Sequence, residues 1–214
     1  MRLILLSMFA ITSLIACKKA STPTPQNVPT VSICNQVWMT KNLDVSVYRN
    51  GDAIPQVTDS AQWVNLTTGA WCYYNNDPAN GAIYGKLYNW YAVNDPRGLA
   101  PTGYHVSTDS EWSSLVTCLG GDSTAGGKIK EAGIMHWLSP NTAATNSSGI
   151  KGLPAGCRDF DGSFNYISSY GIWWSSTEDD TTYSWARDLY YNDGVILRFN
   201  DLKILGFSVR CLKD

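Results

Sequence analysis

Hydrophobic and polar positions change their spacing midway along the chain, and that change predicts an architecture. Over Ile33-Cys34-Asn35-Gln36-Val37-Trp38-Met39 apolar and polar residues alternate in period two, which predicts a strand. Residues 59–66 read as a short helix with Asp59 as N-cap and Trp63 and Leu66 turned inward. Trp71-Cys72-Tyr73-Tyr74 reads as a strand, closed by the turn-forming run 75–81. Apolar or aromatic residues at 83, 84, 87, 88, 90 and 91 predict a largely buried helix over 83–93. The clearest helix is 108–119. Thr108 and Glu111 have capping-box spacing, Trp112, Leu115, Val116 and Leu119 make one apolar face, and Gly120-Gly121 supplies the stop. From Ile150 on, short strands are predicted at 151–158, 171–177, 184–191, 195–199 and 207–212, with Asn192-Asp193-Gly194 as a hairpin turn. Along the last of these, Phe207, Val209 and Cys211 share one face and Ser208, Arg210 and Leu212 the other. Helices ahead of an antiparallel sheet, with no repeat of fixed period, predict a single α+β domain over 31–214.

The N-terminus adds an address. After Met1-Arg2, residues 3–16 carry no charge and are mostly apolar. A bilayer span needs roughly 20 such residues, so the run reads as a signal peptide over 1–16 rather than a membrane helix. It ends in Leu14-Ile15-Ala16-Cys17, which resembles a bacterial lipobox. That implies cleavage after Ala16 and a diacylglyceryl thioether on Cys17, with palmitate-type acyl chains as the membrane anchor. Residues 17–30 follow as the lipidated cysteine and a Thr/Pro-rich tether, reaching at most about 40 Å at about 3.1 Å per residue. The expected location is extracytoplasmic and lipid-anchored, in the outer membrane, facing the periplasm or the surface.

Composition narrows the function. Of the 214 residues 44% are apolar and 16% charged, enough for a core and too few charges for a coiled coil. Sixteen basic residues against 18 acidic ones, with no basic block, disfavour a nucleic-acid partner. With Cys17 acylated, Cys34, Cys72, Cys118, Cys157 and Cys211 remain. Their spacing contains no CxxC pair, which argues against a zinc ribbon or a thioredoxin-like site. In an exported domain they are expected to form disulfides, and an odd number leaves one thiol over.

Four stretches together resemble the Fibrobacter succinogenes major paralogous domain, a family common in bacterial lipoproteins. They are Gln36-Val37-Trp38-Met39-Thr40-Lys41-Asn42-Leu43; Tyr84-Gly85-Lys86-Leu87-Tyr88-Asn89-Trp90; Gly103-Tyr104-His105-Val106 through Glu111-Trp112; and Trp173-Trp174-Ser175-Ser176-Thr177-Glu178 through Gly206-Phe207-Ser208-Val209-Arg210-Cys211. The resemblance implies an extracytoplasmic, disulfide-containing domain and no established activity. It also implies a fold similar to C-type-lectin-like and formylglycine-generating-enzyme domains, with two main helices packed on a twisted antiparallel sheet. Where many members have a cysteine ahead of this segment, the chain has Ala100. The pairing expected on this footing is Cys72–Cys211 and Cys34–Cys118, with Cys157 a free thiol.

Candidate chemistry is sparse. His105 and His136 are the only histidines and neither has the spacing of a catalytic triad or dyad, so both read as structural. Asp159, Asp161 and Asn165 resemble the start of a calcium loop without its distal glutamate, and calcium is the one cofactor candidate. Asn192-Asp193 and Asn200-Asp201 are the nearest carboxylate–amide pairs for a lectin-type sugar site. Trp173 and Trp174 must point to opposite faces of their strand, one into the core and one outward or under a loop. With Arg187 and Arg198 they are the ligand-facing candidates, while Arg187, Arg198 and Arg210 are expected to pair with Glu178 or Asp188. The expected function is a non-catalytic, envelope-anchored binding or adhesion module for glycan or protein. The alternative is an extracytoplasmic enzyme on the related oxidase-like fold, for which Cys157 and Cys211 would have to act as paired, accessible copper-binding thiols.

Overall fold

A computed structural model describes residues 28–214. The expected signal peptide over 1–16, the expected acylation of Cys17 and the expected tether as far as residue 27 lie outside the described residues.

The expected strand 33–39 is a hairpin. β1 (Thr30–Ile33) turns back into β2 (Gln36–Met39) at Cys34 and Asn35, both with positive φ, at 48° and 70°. Two left-handed residues make the tight turn that matches strand twist, and without a glycine the sequence conceals it. Cys34 is disulfide-bonded to Cys118, with Cα atoms 6.5 Å apart.

The first helix, α1 (Ser60–Trp63), begins where Asp59 Oδ1 accepts from Gln62 N at 2.8 Å; Trp63 is buried and Leu66 half-buried. β3 (Trp71–Cys72) is shorter than expected, because the chain then enters a 3₁₀ turn at Tyr74–Asn76. The continuous helix expected over 83–93 is broken into three pieces: α2 (Pro78–Tyr84), β4 (Leu87–Tyr88) and α3 (Trp90–Val93). Gly85 causes the break. Its φ is +76°, and a Cβ there would lie 3.0 Å from Leu43 O, so the chain turns where no side chain fits.

β5 (Tyr104–Val106) leads into α4 (Asp109–Cys118), where Thr108 and Glu111 close the capping box and Trp112, Leu115 and Val116 are buried. A further helix, α5 (Asp122–Ile129), has no counterpart in the sequence reading, since Gly126-Gly127 lowers helix propensity. Packing explains both glycines. A Cβ on Gly126 would stand 2.4 Å from Val195 O, and one on Gly127 2.4 Å from Ala143 O.

The strand expected over 151–158 shrinks to β6 (Cys157–Arg158), which forms a small hairpin with β7 (Phe164–Asn165). β8 (Tyr170–Glu178), β9 (Tyr183–Tyr190) and β10 (Ile196–Leu202) run antiparallel, and the turn between β9 and β10 contains the expected Asn192-Asp193-Gly194. The expected strand 207–212 divides at Arg210. β11 (Ser208–Val209) lies parallel to β8, whereas β12 (Cys211–Lys213) pairs with β2 and β5. One extended segment therefore joins two four-stranded sheets, ordered β1-β2-β12-β5 and β10-β9-β8-β11. The architecture is mixed α+β with antiparallel sheets, short helices and a disulfide.

Arg210 sits at that crossing and is fully buried. Its Nε donates to Asn42 Oδ1 at 2.7 Å, Nη1 to Met39 O and Ile150 O at 2.8 and 2.9 Å, and Nη2 to Lys151 O at 3.1 Å. Asn42 Oδ1 also accepts from Trp173 Nε1 at 2.8 Å, while its Nδ2 donates to Tyr84 O and Ser208 Oγ. Trp173 and Trp174 do face opposite ways, but both are buried. Trp173 packs beside Trp112 under α4, and Trp174 lies 4.3 Å from Phe207 on the other side of the sheet. Replacing Arg210 with alanine opens a cavity and strands the buried carbonyls of Met39 and Ile150, so Arg210→Ala should cost on the order of 3–5 kcal/mol in urea unfolding or abolish folding.

Candidate functional site

The residues expected to face a ligand are mostly spent on structure. Arg187 is buried and reaches Asp109 at 2.6 Å and Ser113 Oγ at 3.0 Å. Arg198 is exposed, stacks 3.3 Å from the Trp185 ring centroid and shares Asp109 at 3.0 Å. Despite partial burial, these two guanidiniums hold the Asp109 carboxyl below its ordinary pKa. Together they tie the N-terminus of α4 to β9 and β10. Neither pairs with Glu178 or Asp188, since Glu178 meets Lys203 instead.

The calcium-loop candidates serve the β6–β7 turn. Asp159 Oδ1 accepts from Phe160 N at 2.8 Å and Asp161 Oδ1 from Ser163 N at 2.9 Å. Asn165 presents its amide nitrogen, donating to Asp159 Oδ2 and Ser163 Oγ, so it offers a cation a donor rather than an oxygen. Among the described residues no three His, Cys, Asp or Glu side chains gather as a metal site. The amide–carboxylate pairs are likewise engaged locally. Asp193 Oδ1 accepts from Val195 N, Asp201 Oδ1 from Leu202 N, and Asn200 Nδ2 donates to Asp179.

His105 lies between Asp214 Oδ1 at 2.8 Å and Glu111 Oε1 at 2.7 Å. Burial opposes its charge, but the two carboxylates prevail and raise its pKa, which fastens the C-terminus to the capping box. His136 Nδ1 is 2.7 Å from Glu131 Oε2.

Cys72 and Cys211, expected to be bonded to each other, are separate buried thiols, as is Cys157. Burial pushes each of the three up to about 12, so all stay protonated at neutral pH. Cys157 and Cys211 are 2% and 0% exposed, and such thiols do not fit a copper-binding pair that must be accessible and ionised.

The one open concavity walled by aromatic rings lies elsewhere among the described clefts. It is a cleft of about 380 Å³ between the β6–β7 hairpin and the outer part of the β8–β10 sheet. Its floor is Ile172, Phe199, Leu205 and Phe207, and its acids are Asp159, Asp188 and Asp201. Phe160 and Tyr166 stand at the rim, 60% and 53% exposed. Tyr166 meets Tyr170 edge-on at 5.2 Å, Tyr170 stacks on Tyr190 at 4.6 Å, and Tyr190 meets Tyr191 at 4.7 Å. A continuous tyrosine strip therefore leads into the cleft. No lysine or arginine lines it. Burial pushes the Asp188 carboxyl up to about 6, with Asp193 adding to the effect, and burial also raises Asp201.

Such a cleft offers ring faces for stacking and carboxylates as acceptors, with the buried Cys157 thiol at its inner wall. Of these residues the sequence singles out Asp159, Asp188, Asp201 and Cys157, each for another role. Their signal was register: Tyr170 and Ile172, Asp188 and Tyr190, Phe199 and Asp201 alternate along three paired strands and so share one face.

The model of the Fibrobacter succinogenes major domain matches residues 31–213. No curated protein and no solved structure matches significantly.

Asp188 sets a pH dependence. The folded carboxyl keeps its proton up to about pH 6, whereas an unfolded one releases it near 3.8. The folded state binds more protons between those values, so stability should fall by on the order of 2 kcal/mol as pH rises from about 4 to about 6. Urea titrations across that range should show this slope in the parent chain and a flatter one in Asp188→Asn.

Proposed function

The chain belongs to the Fibrobacter succinogenes major domain family, and from that premise we propose a non-catalytic binding module carried at the cell envelope by a lipid on Cys17. The ligand is a glycan or an envelope protein, and the cleft beside the β6–β7 hairpin receives it. One observation carries this reading: exposed Phe160 and Tyr166 continue through Tyr170 into a recess whose three carboxylates face no basic side chain. Aromatic faces stack on the apolar face of a sugar ring, and carboxylates accept from its hydroxyls, so a glycan is the ligand this chemistry favours.

The C-type-lectin-like form of the fold belongs to the same proposal. It is supported by the two longest helices, α4 and α5, packing against the twisted β8–β10 sheet. The buried, protonated Cys157 and Cys211 favour binding over thiol–metal catalysis. No described helix is long and apolar enough to cross a membrane, and Leu14-Ile15-Ala16-Cys17 supplies the alternative attachment.

The mature chain should be retained on envelope polysaccharide and on particular members of a glycan array. Tyr170→Ala and Asp188→Asn should each weaken retention about tenfold, equivalent to about 1.4 kcal/mol. Retention by envelope proteins alone would shift the ligand to protein; no retention by either, or indifference to both substitutions, would sink the reading. In cells given labelled palmitate the chain should take up label, and Cys17→Ser should lose it.

A further inference from the structure

A second surface stands out on the face where the tether enters. Ile134 and Met135 are 63% and 83% exposed, and Leu138 and Ile83 about half-exposed, although the backbone around them is tightly fixed. Trp137 is buried and donates from Nε1 to Gly152 O at 3.0 Å, and Leu138 N donates to Ser168 O at 2.9 Å. Asn141 Nδ2 bridges Glu131 O and Gly133 O, closing the base of the loop. Two large apolar side chains are thus held out into water on a braced projection. An apolar patch held in that way marks a surface awaiting a partner.

Where the chain begins its fold identifies the partner. Thr40 N donates to Pro29 O at 2.9 Å, which places Lys41 beside the entering segment. Lys41, Asn42 and Asp44 line two adjoining clefts. One, of about 340 Å³, contains Val28 and Pro29; the other, of about 370 Å³, contains Ile83, His136 and Lys151. Lys41, Asn42 and Asp44 thus connect the entry point to the cleft that borders the projection through Ile83 and His136. Ten residues separate Cys17 from Val28, a span of at most about 35 Å at about 3.1 Å per residue. Charge agrees with a lipid surface. Lys41 is exposed there with no acidic partner among the described residues, while the acids of this face, Asp44 and Glu131, are paired with Lys86 and with His136 and Lys151. An exposed, unpaired lysine near a bilayer is attracted to anionic headgroups.

We propose that the Ile134–Met135 projection, with Ile83 and Leu138 around it, docks into the headgroup region of an anionic bilayer and sets the domain's orientation on the membrane. The proposal rests on the Cys17 anchor inferred above. The test supplies the anchor chemically: the chain from residue 17 is coupled through the Cys17 thiol to a maleimide lipid in phosphatidylcholine–phosphatidylglycerol vesicles. Hydrogen exchange is then compared with that of the uncoupled chain. Amides 132–138 should exchange about tenfold more slowly on the vesicle, and Ile134→Asp with Met135→Asp should remove the slowing and leave the β8–β10 sheet unchanged. Equal rates with and without the vesicle would overturn the proposal. Slowing that appears in the uncoupled chain as its concentration rises would also overturn it, in favour of a second copy of this chain. An unmodified Cys17 in protein taken from cells would sink the anchor and leave the outcome of the coupled experiment standing.

Discussion

An arginine still charged at neutral pH, although burial lowers its pKa to about 9, lies where the two sheets meet, and the fold is arranged to satisfy it. Arg210 has no carboxylate partner; carbonyls from Met39, Ile150 and Lys151 and the amide oxygen of Asn42 take its donors. Such a charge is tolerated in a dry interior only when its hydrogen bonds are made. Meeting that demand fixes the end of β2, the loop before β6 and the Trp173 ring relative to one another. Asn42 completes the junction by reaching Tyr84 O and Ser208 Oγ. Residues far apart in sequence are thereby held to one geometry.

The motif residues that mark the family are largely these same residues. Asn42, Tyr84, Trp173 and Arg210 form the junction, and His105 with Glu111 clasps the C-terminus. Conspicuous residues here serve architecture, and the open surfaces are built from less regular segments. The aromatic cleft uses the 159–166 turn and the half-covered outer part of a sheet. The apolar projection uses a loop between two buried anchors. The cleft borrows its floor, Ile172, Leu205 and Phe207, from the core and adds an exposed rim, whereas the projection holds its apolar side chains wholly outside the core.

Local chemistry was legible and long-range chemistry was not. The capping box of α4 and the turn after β9 follow from neighbouring residues, and both stand as read. The 83–93 pattern was truly apolar, but Gly85 meets the Leu43 backbone, an approach from 42 residues away that periodicity cannot register. α5 escaped notice for the converse reason: its two glycines weaken the local signal because Val195 and Ala143 press against them. Trp173 and Trp174 were correctly set on opposite faces, yet which face stays open depends on α4 and on Phe207 covering them. The thiols make the same point, since the sequence holds no measure of the separation between Cys72 and Cys211.

The bond between Cys34 and Cys118 has a mechanical consequence. β1 is the outermost strand of its sheet and the first element a load would reach when drawn along the chain from Val28. It can be stripped from β2 pair by pair, starting at Thr30 and Met39 and ending at Ile33 and Gln36. At Cys34 the tension passes through sulfur into α4, and the stripping halts. The domain can give by one four-residue strand, roughly 13 Å at about 3.3 Å per residue, and then it holds. Drawn from that end, it would behave as a short extension that arrests itself.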